Sequence, residues 1–297
     1  MQHLRILEMP GAPIDLMITA LAGWADAGEA ATAALRRLAR QFDAKKFAEM
    51  DPEEFYDFSQ VRPYTSLSRE GLRRIRWPAN EVFYSSAGMS GRGVLLFLGV
   101  EPSLKWRTYA ESIIDLGRDC GVSRVVHIGA LLDAVPHTRE VLLTGSSNNL
   151  ELNNALTDHG IRASRYQGPT GITSAVMEAC SKRDISFTTL WGHAPHYLHA
   201  APNYTVSHAL VKALSGLLAT PIELKELEEA SATYHHEVSS AVAEDTQLSS
   251  YIEKLEERYD SAEHQAMEMP RPEELVRDLE EFLKERQRHF RREAPGD

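Results

Sequence analysis

Glycines, a tryptophan and a carboxylate gather in the stretch Gly23-Trp24-Ala25-Asp26-Ala27-Gly28. An apolar run, 14–21, precedes it. After it, Ala30, Ala31, Ala34, Leu35, Leu38 and Phe42 recur at helical spacing. A strand-to-helix turn of this kind points backbone N–H groups at any anion held there. Asp26 has three open roles: a cap on the helix, a general base, or a binder of ligand hydroxyls. Trp24 stacks on a planar ligand or fills space. With Gly28 the spacing is Gly-x-x-x-x-Gly, yet no Lys-Ser/Thr pair and no third glycine follow, so this is neither a P-loop nor a dinucleotide fingerprint. A carboxylate in the loop also disfavours a phosphate ligand.

A second turn, Gly168-Pro169-Thr170-Gly171, stands before another helical pattern. Thr170 and the backbone at Gly171 either bind an anion or simply form the turn that Pro and Gly chemistry demands. Glu101 and Arg107 follow a strand end, the region where open parallel sheets bind ligands. They either contact substrate or pair with each other. Asp133 and His137 belong to the same rim. His193, His196 and His199 are spaced by three, but Pro195 and Pro202 argue against a helix there. With no His-Glu-x-x-His and no partnering cysteine, a loop lining a crevice or a subunit contact is expected, not a metal site. His196 is kept as a crevice residue.

Other chemistries find no support. There is no Gly-x-Ser-x-Gly elbow for a nucleophilic serine. The cysteines, Cys120 and Cys180, make no disulfide framework and no metal spacing, so free thiols are expected. No cofactor is called for. The net charge of −11 lies wholly in the last quarter: residues 221–297 hold 21 acidic and 10 basic residues, residues 1–220 hold 22 of each. That argues against nucleic acid, which needs clustered positive charge. No apolar run reaches the ~18 residues of a membrane span, and no secretory signal opens the chain, so a cytoplasmic protein with no membrane contact is expected.

The elements that must position these residues alternate. Strands are predicted at 14–21, 82–84, 94–98, 125–128, 141–143 and 185–191. Helices are predicted at 30–42, 106–120, 150–159, 172–182 and 204–218. The alternation predicts an α/β fold, a mostly parallel sheet flanked by helices, over residues 1–220. Residues 221–297 form an acidic C-terminal helical extension. Its seam, Leu227, Ser231, Tyr234, Val238, Ala241, Leu248, Ile252, Leu255 and Tyr259, breaks only at Asp245. Beyond Pro270 and Pro272 a second helix would carry Leu275, Leu279, Phe282 and Leu283, making a helical hairpin. The seam packs either on the chain's own core or between molecules.

The loop at 23–28 resembles the Gly-Trp-x-Asp-Ala-Gly loop of the proteasome assembly chaperone 2 family. Asp57-Phe58, Arg62-Pro63, Gly99-x-Glu101-Pro102-Ser103 and Gly129-Ala130-Leu131-Leu132 extend the resemblance. Val135-Pro136-His137-Thr138, Gly168-Pro169-Thr170-Gly171 and Pro195-His196-Tyr197 complete it, in the family's order. Ala25 stands where many members have Asn. The extension resembles that of the family's bacterial branch, whose members remain uncharacterised. The resemblance implies a fold similar to purine nucleoside phosphorylases and related peptidases, a phosphorylase/hydrolase-like fold. It also implies a homo-oligomer such as a trimer, and partners among proteasome subunits. It carries over no catalytic residue.

Two functions follow from these readings. One is a chaperone-like binding or scaffold protein that captures a partner through its acidic extension. The other is an enzyme acting on a small nucleoside-like or acidic substrate in a crevice lined by Asp26, Glu101, Thr170 and His196.

Overall fold

The computed structural model describes residues 3–11, 14–89, 92–164 and 166–262. In chain order the strands are β1 (Leu4–Ile6), β2 (Ile14–Ala22), β3 (Lys45–Met50), β4 (Tyr64–Leu67), β5 (Arg73–Arg76), β6 (Glu81–Met89), β7 (Arg92–Val100), β8 (Arg124–Asp133), β9 (Leu143–Ser147), β10 (Arg162–Ala163) and β11 (Ser186–Pro195). The helices are α1 (Ala30–Gln41), α2 (Trp106–Asp119), α3 (Leu150–Asp158), α4 (Ile172–Ser181), α5 (Tyr204–Leu217), α6 (Lys225–Ala243) and α7 (Thr246–Ala262).

Nine strands make one sheet in the order β1-β3-β6-β7-β2-β8-β11-β9-β10. Its centre, β7-β2-β8-β11, is a parallel run, and the edge pair β9-β10 is also parallel. The strands β1, β3, β6 and β7 pair antiparallel, as do β11 and β9. The sheet is therefore mixed, and the expectation of a mostly parallel sheet is corrected. The reason lies in the connections: a parallel neighbour needs a crossover of a dozen or more residues, whereas β6 runs into β7 with no helix between.

The central strand β2 is buried on both faces, as a strand covered on each side must be. Its residues alternate between two cores. Met17 and Leu21 pack with Tyr109, Ile113 and Ile114 of α2 and Val176 of α4. Leu16, Ile18 and Ala20 pack with Ala34, Leu35 and Leu38 of α1 and Leu210 and Leu214 of α5.

Leu227 of α6 joins the second core, so the extension begins inside the body of the molecule. Where the seam suggested one long helix, the chain breaks after Ala243. The Asp245 carboxylate accepts from the Gln247 and Leu248 N–H groups, both at 3.0 Å, and starts α7. Tyr234, Val238, Val242 and Ile252 cluster against Tyr197, Leu198 and Tyr204, so these two helices pack on the chain's own core. The helix expected at 275–283 lies outside the described residues. Among those described, no helix is long and apolar enough to cross a membrane.

The hairpin β4–β5 was not foreseen. It pairs Tyr64 with Arg76 and stands apart from the main sheet. Tyr64, Leu67, Leu72, Ile75 and Trp77 are all exposed on or beside it.

Candidate functional site

A cavity of about 690 Å³ opens at the carboxyl ends of β2 and β8. Open α/β sheets bind ligands outside such strand ends. The 23–27 loop supplies Trp24 and Ala25, β8 supplies Leu131 and Leu132, and the 164–171 segment supplies Tyr166, Thr170 and Gly171. Thr173, Ser174 and Met177 come from α4. Thr144 and Ser146 of β9 and Phe187, Thr189 and Trp191 of β11 complete the lining. None of the lining residues is charged. Trp24, at 69% exposure, stands at the rim with Leu132, Tyr166 and Met177, which are also exposed. Gly129 makes room for the Trp191 ring beside it: a Cβ there would lie 2.5 Å from that ring.

Asp26 lies beneath this surface, not in it. Its Oδ1 accepts from the N–H groups of Ala31 (2.8 Å) and Thr32 (3.2 Å), and its Oδ2 from the Thr32 hydroxyl (2.5 Å). The carboxylate thus fills the N-terminus of α1, as a capping side chain does. Burial raises its pKa above the ordinary aspartate value even though the Thr32 and Ala31 hydrogen bonds oppose the shift. Gly28 adopts a left-handed backbone, φ 60°, and its carbonyl accepts from Asn203 N–H at 2.7 Å, tying the turn to the start of α5.

Glu101 does the same for α4. Its Oε1 accepts from Ile172 N–H at 3.2 Å, directly after the Gly168–Gly171 turn. Both helix N-termini that could have received an external anion therefore hold a carboxylate of the chain itself. Arg107 is exposed on α2, and among the described residues no ion pair joins it to Glu101. It lies near enough to Glu178 to lower that residue's pKa, though the ion pair with Lys182 dominates there.

The histidines separate. His193 is on strand β11, not in a loop, because β11 runs on to Pro195 in register with Asp133 of β8. His193 Nδ1 meets Asp133 Oδ2 at 2.6 Å and its Nε2 meets Thr144 Oγ1 at 3.0 Å. His196 is buried away from the cavity, its Nδ1 against the Asp133 carbonyl and its Nε2 3.1 Å from the Tyr251 hydroxyl of α7. His199 is exposed. Among the described residues no group of three metal-ligating side chains forms.

Of the residues singled out by sequence, the cavity therefore gathers Trp24, Thr170 and Gly171. It leaves Asp26, Gly28 and Glu101 as the frame behind the loops, and Arg107 and His196 elsewhere. Sequence reasoning missed Thr144, Ser146, Tyr166, Thr173 and Trp191. It also missed His127, buried under the cavity between Thr19 Oγ1 (2.9 Å) and Thr173 Oγ1 (3.3 Å). Burial pulls the His127 pKa down to about 4. A histidine inside an apolar strand was the one available signal.

The curated proteins contain no match to this chain. Among solved structures, a PAC2 family protein from Streptomyces avermitilis is 33% identical, with TM-score 0.71, covering 80% of this chain and 99% of its own. A proteasome-assembly chaperone homologue from Mycobacterium tuberculosis is 32% identical, with TM-score 0.72 and the same coverage. The fold is shared by PbaB of Pyrococcus furiosus, an archaeal proteasome activator, at 15% identity and TM-score 0.63, over 81% of this chain and 99% of its own. The PAC2 family profile matches residues 20–242. With that match and these two relatives, the chain belongs to the PAC2 family.

Proposed function

We propose that this chain is a cytoplasmic, proteasome-assembly-chaperone-like binding protein that works without catalysis. One observation carries the reading. Asp26 and Glu101 occupy the helix N-termini that a phosphate-using enzyme of this architecture would keep for its substrate. What remains open to solvent is a recess without charge, ringed by exposed apolar side chains, which suits recognition. Proteasome subunits are the proposed partners, by analogy with the Mycobacterium tuberculosis relative described as a proteasome-assembly chaperone homologue. The acidic extension after residue 220 is the proposed capture surface: Glu229 and Glu237 of α6, Glu244 in the turn after it, and Glu253 and Glu257 of α7 are all exposed.

A homo-oligomer is the proposed working form. The β4–β5 hairpin supports it, because five exposed large apolar side chains so close in sequence are costly to leave in water.

A second reading, an enzyme of nucleoside-phosphorylase-like fold, is favoured by the cavity's place at the strand ends. Calorimetry with inorganic phosphate and a purine nucleoside, each alone and together, separates the two. No heat of phosphate binding and no base released supports the binding protein. Phosphate-dependent release of a free base would replace it with the enzyme.

A further inference from the structure

Two hydroxyls of the cavity wall, those of Thr144 and Tyr166, have a shared bias. Asp133 Oδ1 accepts from Ala134 N–H at 2.7 Å, and Asp133 Oδ2 faces His193 Nδ1 at 2.6 Å. A carboxylate can only accept, so in the neutral imidazole the proton sits on Nδ1. The Nε2 lone pair is then left facing Thr144, whose hydroxyl must donate to it at 3.0 Å. The Thr144 oxygen presents only lone pairs to the cavity. Tyr166 has the same fate, since its hydroxyl donates to the Pro169 carbonyl at 2.8 Å. The Ser146 and Thr189 hydroxyls, 3.1 Å apart, satisfy one another, and Thr189 Oγ1 also lies 3.3 Å from the Ser146 carbonyl. Two hydroxyls from two elements, Thr144 of β9 and Tyr166 of the 164–171 segment, thus have their protons directed into the protein.

We infer that the cavity binds a small, uncharged, largely apolar ring compound that carries an N–H or O–H donor. Uncharged, because no lining side chain supplies a counter-ion and the nearest carboxylates are already engaged. Ring-shaped and apolar, because Trp24, Trp191, Phe187, Leu131 and Leu132 line the cavity beside those acceptors. Donor-bearing, because a ligand group with lone pairs alone would meet lone pairs at Thr144 and Tyr166. A free molecule fits better than a partner's side chain, since the recess reaches Phe187 and Thr189, which are buried in the sheet. This ligand class is independent of any proteasome partner.

The test uses the full chain and three probes of one shape: 2-naphthol, 2-methoxynaphthalene and 2-naphthoate. Ligand-observed NMR and calorimetry give the affinities. The expected result is 2-naphthol binding about tenfold tighter than its methyl ether, the effect of one hydrogen bond, with 2-naphthoate weakest. Thr144→Val, which keeps the side-chain shape, narrows the gap between naphthol and ether. Tyr166→Phe, at an exposed site, is a second variant that leaves the buried wall intact and also narrows it. N-acetyltyrosinamide identifies the source of the ring: weaker binding than 2-naphthol supports a free molecule, and tighter binding overturns that part. Ether or naphthoate binding as tightly as naphthol would overturn the donor rule. So would a gap that persists in both variants, and so would no binding by any probe.

Discussion

Glu101 and Ile172 meet across the top of the sheet, with the Glu101 carboxylate 3.2 Å from the Ile172 N–H at the start of α4. A residue at the end of one parallel strand thereby fills an anion position made by a glycine turn 71 residues away. Glu101→Ala empties that position. The variant is expected to lose about 1 kcal/mol, the usual worth of a cap. It is also expected to gain more thermal stability from added sulfate than the native protein, whose gain is only the general salting-out effect. Equal response of both proteins to sulfate in a thermal-shift series would contradict the assignment.

Asp26 gives a graded prediction. In Asp26→Asn the amide oxygen still accepts from Ala31 and Thr32, so the loss is about 1 kcal/mol or less. Asp26→Ala strands those buried donors and costs about 1–3 kcal/mol. Because burial raises the folded pKa, the native state holds the proton longer than the unfolded chain. The contribution of Asp26 is therefore fully present below its unfolded value of 3.8 and is lost as pH rises through the folded one. Denaturant unfolding of native and Asp26→Asn proteins should converge as pH rises from the acid limit. A gap that widens with pH would have the wrong sign.

His127 runs the other way. Its pKa is depressed from 6.5 to about 4, so the unfolded chain takes up the proton first as pH falls. Its stabilising contribution is present above about pH 6.5 and is lost on the way down to about pH 4, a change of roughly 3 kcal/mol. Native protein should lose more stability than His127→Gln across that window in paired urea titrations. Identical slopes would remove His127 as the cause.

The helices flanking the sheet were legible because their limits are written in local chemistry. Asn149 caps α3 by accepting from Glu151 and Leu152, and Gly160 ends it at φ 73°. What escaped had no such signal. Strand β9 was placed at 141–143, two residues early, because Thr144 and Ser146 are polar where they border the cavity and Gly145 between them is small. Its chemistry was lost with it. The hairpin β4–β5 is exposed along nearly its whole length, so no burial imposes an alternating pattern. Gly192 and Pro195 disguised the far half of β11 as a loop. Asp245 stood out in the seam and marks the break between α6 and α7, while the turn it forms was not read.

The hairpin supplies a prediction about assembly. Arg73→Glu with Arg74→Glu reverses charge beside Leu72 and Ile75 without touching the core. Light scattering should show a smaller species than the native chain, with unchanged circular dichroism. A native chain that is already monomeric would end the proposal that the hairpin joins copies.

The extension must be probed without cutting it off, because Ile222 and Leu227 belong to the second core and truncation after residue 220 would expose that core. Charge reversal at exposed Glu229, Glu237 and Glu253 leaves the packing alone. The most direct test of the binding-protein account is therefore size-exclusion chromatography with light scattering. The full chain would be mixed with purified proteasome α and β subunits, beside the Glu229→Lys, Glu237→Lys, Glu253→Lys variant. The account predicts a complex of defined mass with the native chain and its loss in the variant. Separate elution of the native chain and both subunits at micromolar concentration would contradict it.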